Sequence, residues 1–396
     1  MQTLTTATST LDSSIKRNSG LPIFIMAIAG FVIVTTEFLI IGLLPRLSRD
    51  LNVSIAAAGQ LITLFAFTVM LFGPYLTAKL SHINRKKLFT FILLVFAGSS
   101  ALAALSPNIW VLAIARFIPA LMLPVFWGTA SETAGQLARP GNSGKAVSQV
   151  YLGISAALVF GIPLGTLAAD AIGWRETFWI LAAVSTLLAI LILAYMPTLP
   201  VSPRHHTDKQ TAILNDKGFL AHVGLSILTF IAMFTAYTYL ADILERLAFI
   251  PSSQVGWWLM GFGAVGMLGN HIAGRMVDRN PLSANIVFLA LLGAGMLITT
   301  LVVTNHFWLA VALTVWGIAY TGLFVICQVR VMKVGSHAQA FAASMNISAA
   351  NAGIGIGAML GGLGLNQYGL NSLTIISTVT AVIAIALALF MKRLIR

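Results

Sequence analysis

Apolar residues fill twelve long segments of this 396-residue chain, and short polar breaks separate each segment from the next. A helix of about 20 apolar residues crosses the hydrocarbon core of a bilayer. Only 9% of the residues are charged, and the mean hydropathy is +0.92. The pattern predicts an all-α membrane protein with twelve transmembrane helices, at 21–44, 56–80, 88–105, 109–136, 145–169, 175–197, 218–241, 253–277, 283–304, 307–333, 338–366 and 371–391.

The distribution of Lys and Arg predicts the orientation in the membrane. If the N-terminus is cytoplasmic, Arg116 lies within a segment and most of the remaining Lys and Arg residues lie on the cytoplasmic side. The opposite side then holds only Arg46, Arg49, Arg175 and Arg246. Cytoplasmic loops carry such an excess, so we predict a multi-pass protein of the bacterial inner membrane with both termini cytoplasmic. Membrane lipid is the expected partner for the net charge of +12. Nucleic acid is not, because basic and aromatic residues do not interleave on any patch.

The polar stretches divide the chain into domains. Residues 1–20 are rich in Thr and Ser and are predicted to be a disordered cytoplasmic N-terminus. Residues 197–218 mix Pro, charged and polar residues, which is typical of a cytoplasmic linker. We therefore predict an N-terminal six-helix bundle at 21–196 and a C-terminal six-helix bundle at 219–396.

Several features recur between the two halves. Trp110 and Trp308 each open a segment, and the glycine-containing run 161–165 has a counterpart at 357–361. Parallel repeats of this kind, with a binding site between them near the bilayer midplane, are typical of alternating-access transporters. The sequence therefore predicts two pseudo-symmetric bundles.

The ordered motifs along residues 21–391 resemble the major facilitator superfamily. They are Thr36-Glu37-Phe38, Gly42-Leu43-Leu44-Pro45, Ala58-Gly59-Gln60, Gly73-Pro74, Ala115-Arg116-Phe117, Phe126-Trp127, Gly161-x-Pro163-x-Gly165 and Gly173-Trp174-Arg175-x-x-Phe178. Within that family the chain is similar to twelve-helix drug:proton antiporters of the arabinose-efflux-permease-like subgroup. The resemblance implies a monomeric, proton-coupled exporter of a small molecule such as a sugar, a purine or nucleoside, or an amphenicol-type drug.

Two other functions remain open at this point. A broad-specificity hydrophobic multidrug efflux pump would use the same framework. A membrane-embedded enzyme or a passive sensor would belong to another class, but the histidines are scattered and show no metal-ligand spacing. A phosphate-binding Gly-rich loop with Lys is also lacking. We therefore expect no metal and no cofactor, and we expect the proton gradient to supply the energy.

Glu37 and Arg116 are charged residues within apolar segments, where charge is costly and usually faces the bundle interior. Each lies about seven or eight residues from the periplasmic end of its segment, so contact between them is plausible. Arginine keeps its proton, which makes Glu37 the titrating member of a proton-coupling pair. A static ion pair that fixes helix register and direct substrate contact are the alternatives.

Other residues are candidates for substrate binding because of the helices on which the family fold places them. Flat rings with polar tips suit sugars, nucleobases and aryl drugs, although for any single ring ordinary helix packing or an interfacial belt is the stronger explanation. The amides could bind ligand or join helices. The candidates are Phe126, Trp127, Tyr237, Tyr239, Trp316, Tyr320, Asn346 and Asn351.

In the second half, Gly274, Asp278 and Arg279 match the family's cytoplasmic loop signature, but in the first half His82 replaces the usual acid. The resemblance implies that such residues latch helices together, with Glu132 as an acidic partner. Its basic partner would be Lys79, Arg85 or Lys86. Anchoring of these bases at anionic lipid is the alternative. Asp242, Glu245 and Arg246, beyond the seventh segment, are expected to be solvated.

Gly161 and Gly165 lie four residues apart in the fifth segment, with Pro163 between them. Glycines at this spacing let helices approach closely, and proline bends a helix because it lacks the backbone donor. In the family fold this segment lies between the two halves. We therefore predict that these three residues let the halves slide.

Overall fold

The computed structural model describes residues 20–80, 82–138, 143–199, 212–336 and 339–394. The predicted disordered N-terminus, up to residue 19, and most of the predicted linker, 200–211, lie outside these ranges. Six long helices precede the linker. They are α1 (Gly20–Asp50), α2 (Ile55–Leu80), α3 (Arg85–Ala104), α4 (Ile109–Leu137), α5 (Ser143–Ala156, continued by a π-helical turn at Ala157–Gly161 and by Ile162–Ala171) and α6 (Trp174–Tyr195).

Six further helices follow a short 3-10 turn at Ala212–Asn215. Among the described residues the regular structure is entirely helical, which confirms the predicted fold class. The helices are α7 (Lys217–Tyr237, continued by Leu240–Asp242 and a π-helical turn at Ile243–Leu247), α8 (Ser252–Arg279), α9 (Pro281–Val302), α10 (His306–Val334), α11 (Gln339–Tyr368) and α12 (Ser372–Leu394).

Within the described ranges, eleven of these helices are both long and apolar enough to cross a membrane. The exception is α8, which is 28 residues long but rich in glycine and polar residues. Its length still exceeds the roughly 20 residues that a bilayer requires. The low hydropathy of α8 thus reflects both its glycines and its polar residues.

Side-chain caps explain where several helices begin. The Asn84 side chain accepts hydrogen bonds from the backbone N–H groups of Lys86 and Lys87 at the start of α3. Such caps satisfy donors that have no partner within the helix. The other capping side chains are Asn108 for α4, Asp216 for α7, Asn280 for α9 and Asn305 for α10.

The helix pairings repeat between the halves. In the first half α1 packs against α5 and α6, α2 against α4, and α3 against α4 and α6. In the second half α7 packs against α11 and α12, α8 against α10, and α9 against α10 and α12. We call α1–α6 the first bundle and α7–α12 the second bundle. We propose 21–196 and 219–396 as their domain boundaries.

The helix caps correct the register of the repeat. Helices α4 and α10 each contain 29 residues and follow the cap residues Asn108 and Asn305. Position for position, Trp110 therefore corresponds to Phe307, not to Trp308 as the sequence pattern suggested. Two adjacent aromatic residues at the start of α10 made the sequence alignment ambiguous by one residue.

Polar contacts identify the two ends of the molecule. The first end, which we call the basic face, holds the starts of the odd-numbered helices and the ends of the even-numbered helices. The other end, which we call the opposite face, holds the ends of α1, α5 and α7 and the start of α6. Contacts on the opposite face are Arg46 with Asp170, Arg49 with Glu245 and Asp50 with Trp174.

The two bundles meet through two equivalent helix pairs, α2 with α11 and α5 with α8. The Thr63 hydroxyl donates to the Gly355 carbonyl at 3.3 Å between α2 and α11. A Cβ atom on Gly263 of α8 would lie 2.8 Å from the Val159 Cα of α5. These contacts lie in the half of each helix nearer the opposite face, so the bundles are closed at that end.

The α5 glycines do not face the second bundle as predicted, although α5 does lie between the bundles. Gly161 and Gly165 face Thr35 and Leu39 of α1, inside the first bundle. They permit close packing there and cannot form a sliding surface against the second bundle. The face of α5 that meets α8 contains Pro163, whose carbonyl oxygen would lie 3.0 Å from a Cβ atom on Gly256.

The helix is irregular next to Pro163, as predicted. A π-helical turn at Ala157–Gly161 ends two residues before the proline. Proline has no N–H with which to bond the carbonyl four residues earlier. π-Helical structure is rare and occurs mostly as single turns inside α-helices, as it does here. The widened turn includes Val159, which Gly263 approaches.

We expect Gly263→Ala to weaken closure of the opposite face, because the added methyl group would meet backbone atoms of α5 that cannot rotate away. Spin labels on Ile172 and Phe249, which are 51% and 76% exposed, would measure the gap in a Cys327→Ser background. The distance distribution should shift toward longer values. Gly261→Ala is the matched control, since a Cβ atom there meets open space. Identical distributions for the two variants would contradict this account of closure.

Candidate functional site

Arg116 is a fully buried cation that joins α4 to α1. Its guanidinium donates to the backbone carbonyls of two successive residues of α1, Thr36 and Glu37, the latter at 2.5 Å. It also stacks on the Phe65 ring of α2, 4.5 Å from the ring centroid. A planar guanidinium suits such a site, because one fork donates twice while its face stays against an aromatic ring. Arg116 therefore ties three helices together.

Glu37 and Arg116 lie close together, but their side chains do not form a simple ion pair. Arg116 contacts the backbone oxygen of Glu37, and the two side chains are not within ion-pair distance, although their charges interact. Glu37 is 9% exposed. The next residue of α1, Phe38, contacts Phe234 of the second bundle. The carboxyl group thus lies at the interface between the bundles while Arg116 is held by other atoms.

Phe126 and Trp127 of α4 are buried, and their rings lie 5.1 Å apart at nearly a right angle. Trp127 also contacts Tyr151 of α5 at 5.3 Å. Its indole packs against Gly30 of α1, where a Cβ atom would collide with the ring. In the described structure these two residues are therefore integral to the packing of α1, α4 and α5.

The second bundle contains a larger aromatic cluster. Tyr237 of α7 and Tyr320 of α10 lie with ring centroids 4.2 Å apart, and Phe262 of α8 contacts both. Trp316 packs edge-on against Phe262, and its indole nitrogen has no hydrogen-bond partner among the described residues. The sequence prediction included Tyr237, Trp316 and Tyr320, and the structure brings them together.

The second bundle also contributes to contact between the bundles. Phe234 of α7 packs against Phe38 of α1, with ring centroids 5.8 Å apart. Phe38 directly follows Glu37 in the sequence. The aromatic cluster and the buried acid are therefore neighbours across the interface. Phe234 was missed by sequence reasoning because a phenylalanine in an apolar helix gives no distinguishing signal.

Tyr239, Asn346 and Asn351 lie in other surroundings. The Tyr239 hydroxyl donates to the Ala358 carbonyl of α11 at 2.9 Å and lies beside Gly59 of α2, at the contact between bundles. Asn346 donates to the Gln328 side chain at 2.7 Å. Asn351 donates to a carbonyl of its own helix. Both asparagines have a buried side-chain oxygen without a hydrogen-bond partner in the described residues.

Of the proposed basic partners for Glu132, the structure selects Arg85. The two side chains form an ion pair at 2.8 Å, with Arg85 almost fully buried at the start of α3. His82 is exposed in the turn before α3. In the second bundle Asp278 lies 3.7 Å from Lys333. These contacts each join helices of one bundle.

Sequence reasoning missed the charged contact between bundles at the opposite face. Arg49 at the end of α1 forms an ion pair with Glu245 of α7 at 3.0 Å. Asp242 was expected to be solvated, yet it is fully buried and lies 3.5 Å from the Arg246 guanidinium. The π-helical turn Ile243–Leu247 carries α7 beyond its apolar segment, so these charges remain within the helix. Arg279 lines a cavity on the basic face.

Within the described residues, no group of three or more His, Cys, Asp or Glu side chains could hold a metal ion. The titratable residues of the site instead occur singly or as the pairs described above. The arrangement offers a buried carboxyl group, a buried guanidinium and aromatic faces. Such a set can bind a molecule and a proton, but it does not pair a nucleophile with a base.

The sequence comparisons agree with this architecture. A family model described as Major Facilitator Superfamily matches residues 26–248 and 218–394. The chain is 31% identical over 373 residues to the inner membrane transport protein YdhP of Escherichia coli (strain K12), covering 94% of this chain and 96% of that protein. It is 29% identical over 360 residues to a probable sugar efflux transporter of Helicobacter acinonychis (strain Sheeba), covering 90% and 91%.

Solved structures share the fold at low sequence identity. A bacterial homologue of the human lysosomal transporter Spinster, in an inward-facing occupied conformation, has a TM-score of 0.77 and 16% identity, covering 94% of this chain and 96% of that one. A point mutant of the nucleoside transporter NupG has a TM-score of 0.75 and 15% identity, covering 94% and 100%.

The chain belongs to the major facilitator superfamily. It is therefore a multi-pass membrane transporter that acts on small molecules, and not an enzyme. The resemblance predicted from the sequence motifs is confirmed.

We expect Arg116→Lys to destabilise the protein, because one ammonium group cannot reproduce both carbonyl contacts and the stacking on Phe65. Losing one hydrogen bond to a charged group costs about 1.5–3 kcal/mol. Thermal unfolding in detergent would detect a lower Tm. Arg175→Lys is the control, since Arg175 also stacks on a ring, that of Trp174, but is more than a third exposed. An equal loss of Tm in both variants would refute this role for Arg116.

Proposed function

We propose that this protein is a proton-coupled antiporter that exports a small molecule by alternating access. The observation that carries the proposal is the position of Glu37, a buried carboxyl group at the interface between two pseudo-symmetric bundles. Arg116 of the first bundle donates to the Glu37 backbone carbonyl, and the next residue of α1, Phe38, contacts Phe234 of the second bundle. A carboxyl group in this position can bind a proton, and its proton affinity depends on how the two bundles are arranged.

Alternating access requires that the bundles part at one end when they close at the other. The contacts of α5 with α8 and of α2 with α11 lie toward the opposite face. The ion pair between Arg49 and Glu245 adds a charged contact between bundles there. We infer that the basic face is the open end and is cytoplasmic, because loops rich in Lys and Arg remain inside. This inference puts both termini in the cytoplasm of a bacterial inner membrane and makes the conformation inward-facing.

The surroundings of Arg116 favour a coupling role for Glu37 over a static ion pair. The guanidinium already has the carbonyl oxygens of Thr36 and Glu37 as acceptors. It therefore stays bound to α1 whether the carboxyl group is charged or neutral. Glu37 can accept a proton without leaving a buried cation that has lost every partner, which a static pair could not do. Direct substrate contact by Glu37 is compatible with this role.

The energy available is sufficient for export. One proton that enters down about 100 mV yields about 2.3 kcal/mol. Since each tenfold gradient costs about 1.36 kcal/mol, one proton could drive a neutral substrate to roughly a fiftyfold gradient. No cofactor is needed, and one chain contains both bundles, so we propose a monomer.

A sugar, a purine or nucleoside, or an amphenicol-type drug is the proposed substrate. The aromatic cluster of Tyr237, Phe262 and Tyr320 supplies flat faces for a ring. The side-chain oxygens of Asn346 and Asn351, which lack a partner in the described residues, are buried acceptors for hydroxyl or amine hydrogens. The Helicobacter relative described as a probable sugar efflux transporter supports the sugar.

A broad-specificity hydrophobic multidrug pump is the second candidate. Phe230, Phe234 and Phe324 extend the aromatic cluster, with ring centroids 5.0–6.4 Å apart. Such a surface binds apolar ligands without demanding particular hydrogen bonds. An exporter of a sugar, nucleoside or amphenicol-type drug needs the polar groups of the site to bind its substrate, whereas a multidrug pump does not.

We expect Glu37→Gln to abolish uphill export while substrate binding and passive exchange continue. Glutamine keeps the shape of the side chain and mimics its protonated form permanently. Proteoliposomes with an imposed pH gradient would report substrate accumulation and internal pH together. Glu176→Gln, which changes an exposed acid at the start of α6, is the matched control and should transport normally. Continued accumulation against a gradient by the Glu37→Gln protein would place the proton site elsewhere.

The same proteoliposomes distinguish the candidate substrates. We expect accumulation of pentoses, nucleosides or chloramphenicol-like drugs to drive protons out of the lumen, and only when the hydrogen-bonding groups of the substrate are intact. Asn351→Leu should reduce that transport about tenfold or more, because it removes a buried acceptor. Comparable transport of unrelated apolar dyes, unaffected by Asn351→Leu, would favour the multidrug pump.

A further inference from the structure

The basic face of the second bundle contains a cavity of about 450 Å³. It lies among the ends of α8, α10 and α12 and the starts of α7 and α9. Its polar lining residues are basic or neutral: His222, Arg279, Asn280, Arg330, Lys333 and Lys392. Two described acids lie near this set: Asp278, an exposed residue 3.7 Å from Lys333, and Asp216, whose charge acts on His222. The cavity therefore has an excess of positive charge.

Arg330 is fully buried at one wall of this cavity, and its hydrogen-bond partners are neutral groups. Its guanidinium donates to the His222 ring at 3.0 Å, to the His222 carbonyl at 2.9 Å and to the Ser226 hydroxyl at 2.8 Å. Within the described part of the chain, no carboxylate lies within ion-pair distance of Arg330, and its Nε has no hydrogen-bond partner. A buried charge normally requires an opposite charge.

His222 adds a further donor. Arginine can only donate, so the His222 Nδ1 atom that Arg330 contacts must be the acceptor. The ring proton of neutral His222 is then on Nε2. His222 also lines the cavity, so its ring is a candidate donor to a ligand that accepts hydrogen bonds.

In the first bundle, the charge of a buried arginine is compensated by an acid of the same bundle. Arg85 begins α3 and pairs with Glu132 of α4. Counted from the helix caps, Pro281 of α9 stands in the position of Arg85, and Val329 of α10 stands in that of Glu132. The second bundle therefore has Val329 where the first bundle has the acid Glu132. The residue after Val329 is the buried Arg330. An anion from outside the chain would compensate its charge.

The depth of the cavity suggests where that anion comes from. Arg330 is four residues from the last residue of α10, which corresponds to about 6 Å along the helix axis. Lys392 and Arg279 lie in the last turns of their helices. This is the level at which phospholipid headgroups meet a membrane protein, and basic pockets at that level bind them.

We propose that this cavity binds a phosphate group, carried by an anionic phospholipid headgroup or by a soluble phosphate compound. Arg330 and His222 form its buried wall, and Arg279, Lys333 and Lys392 surround its mouth. The bound phosphate supplies the negative charge that Glu132 supplies in the first bundle. This site is separate from Glu37 and from the aromatic cluster, so it does not depend on the proposed transport function.

The test measures binding to the purified full-length protein in detergent through the ligand-dependent rise in Tm. The probes are dihexanoyl phosphatidylglycerol, the neutral dihexanoyl phosphatidylcholine and inorganic phosphate. Phosphatidylglycerol or inorganic phosphate should stabilise the protein, and phosphatidylcholine should not. The double variant Arg279→Gln/Lys392→Gln should weaken binding about 25-fold, since each surface cation contributes about fivefold.

Arg275→Gln/Arg393→Gln is the matched control, because it removes two exposed cations of the same face that do not line the cavity. It should bind like the wild type. Inorganic phosphate that competes with the lipid at similar concentration indicates a soluble ligand, and lipid binding that resists phosphate indicates a headgroup. The proposal is overturned if the two double variants lose equal affinity, if phosphatidylcholine binds as well as phosphatidylglycerol, or if neither anion stabilises the wild type.

Discussion

The close approach of α8 to α5, and of α2 to α11, is the constraint on which the rest of the structure depends. A Cβ atom on Gly263 would lie 2.8 Å from the Val159 backbone, so glycine is required for closure at that level. Close packing of backbones is what holds helices together in lipid, where burial from water contributes nothing. In the proposed alternating-access mechanism, these two pseudo-symmetric contacts are where the bundles pivot against each other.

Charge placement distinguishes two otherwise similar bundles. Counted from the helix caps, Leu313 of α10 stands in the position that Arg116 occupies in α4. Leu313 is buried and apolar, and the second bundle instead has the cluster around Tyr320. The interior of the first bundle thus holds the ionisable pair, and that of the second holds the aromatic faces. In the proposed mechanism, proton binding in the first bundle and substrate binding in the second meet at the interface.

The sequence predicted the helices well, because hydropathy reports directly on contact with lipid. It failed at helix ends, since Asp242 and Glu245 continue α7 beyond its apolar segment. It also predicted that Glu37 and Arg116 approach each other, because charges within lipid must find partners. It could not predict that Arg116 would contact backbone carbonyls, since every residue has one. Gly161 and Gly165 were assigned to the wrong contact because a stripe of glycines shows that a helix packs closely, but not against which neighbour.

The asymmetry at the basic face follows from the same reasoning about buried charge. Arg85 is almost fully buried and lies 2.8 Å from Glu132, so an acid of the same bundle compensates its charge. Arg330 is equally buried, and its hydrogen bonds go to a histidine and a hydroxyl. Neutral acceptors satisfy its hydrogen bonds but not its charge. If a bound anion compensates that charge, the second bundle is stabilised by a lipid or a soluble ligand. The first bundle is stabilised by its own residue Glu132.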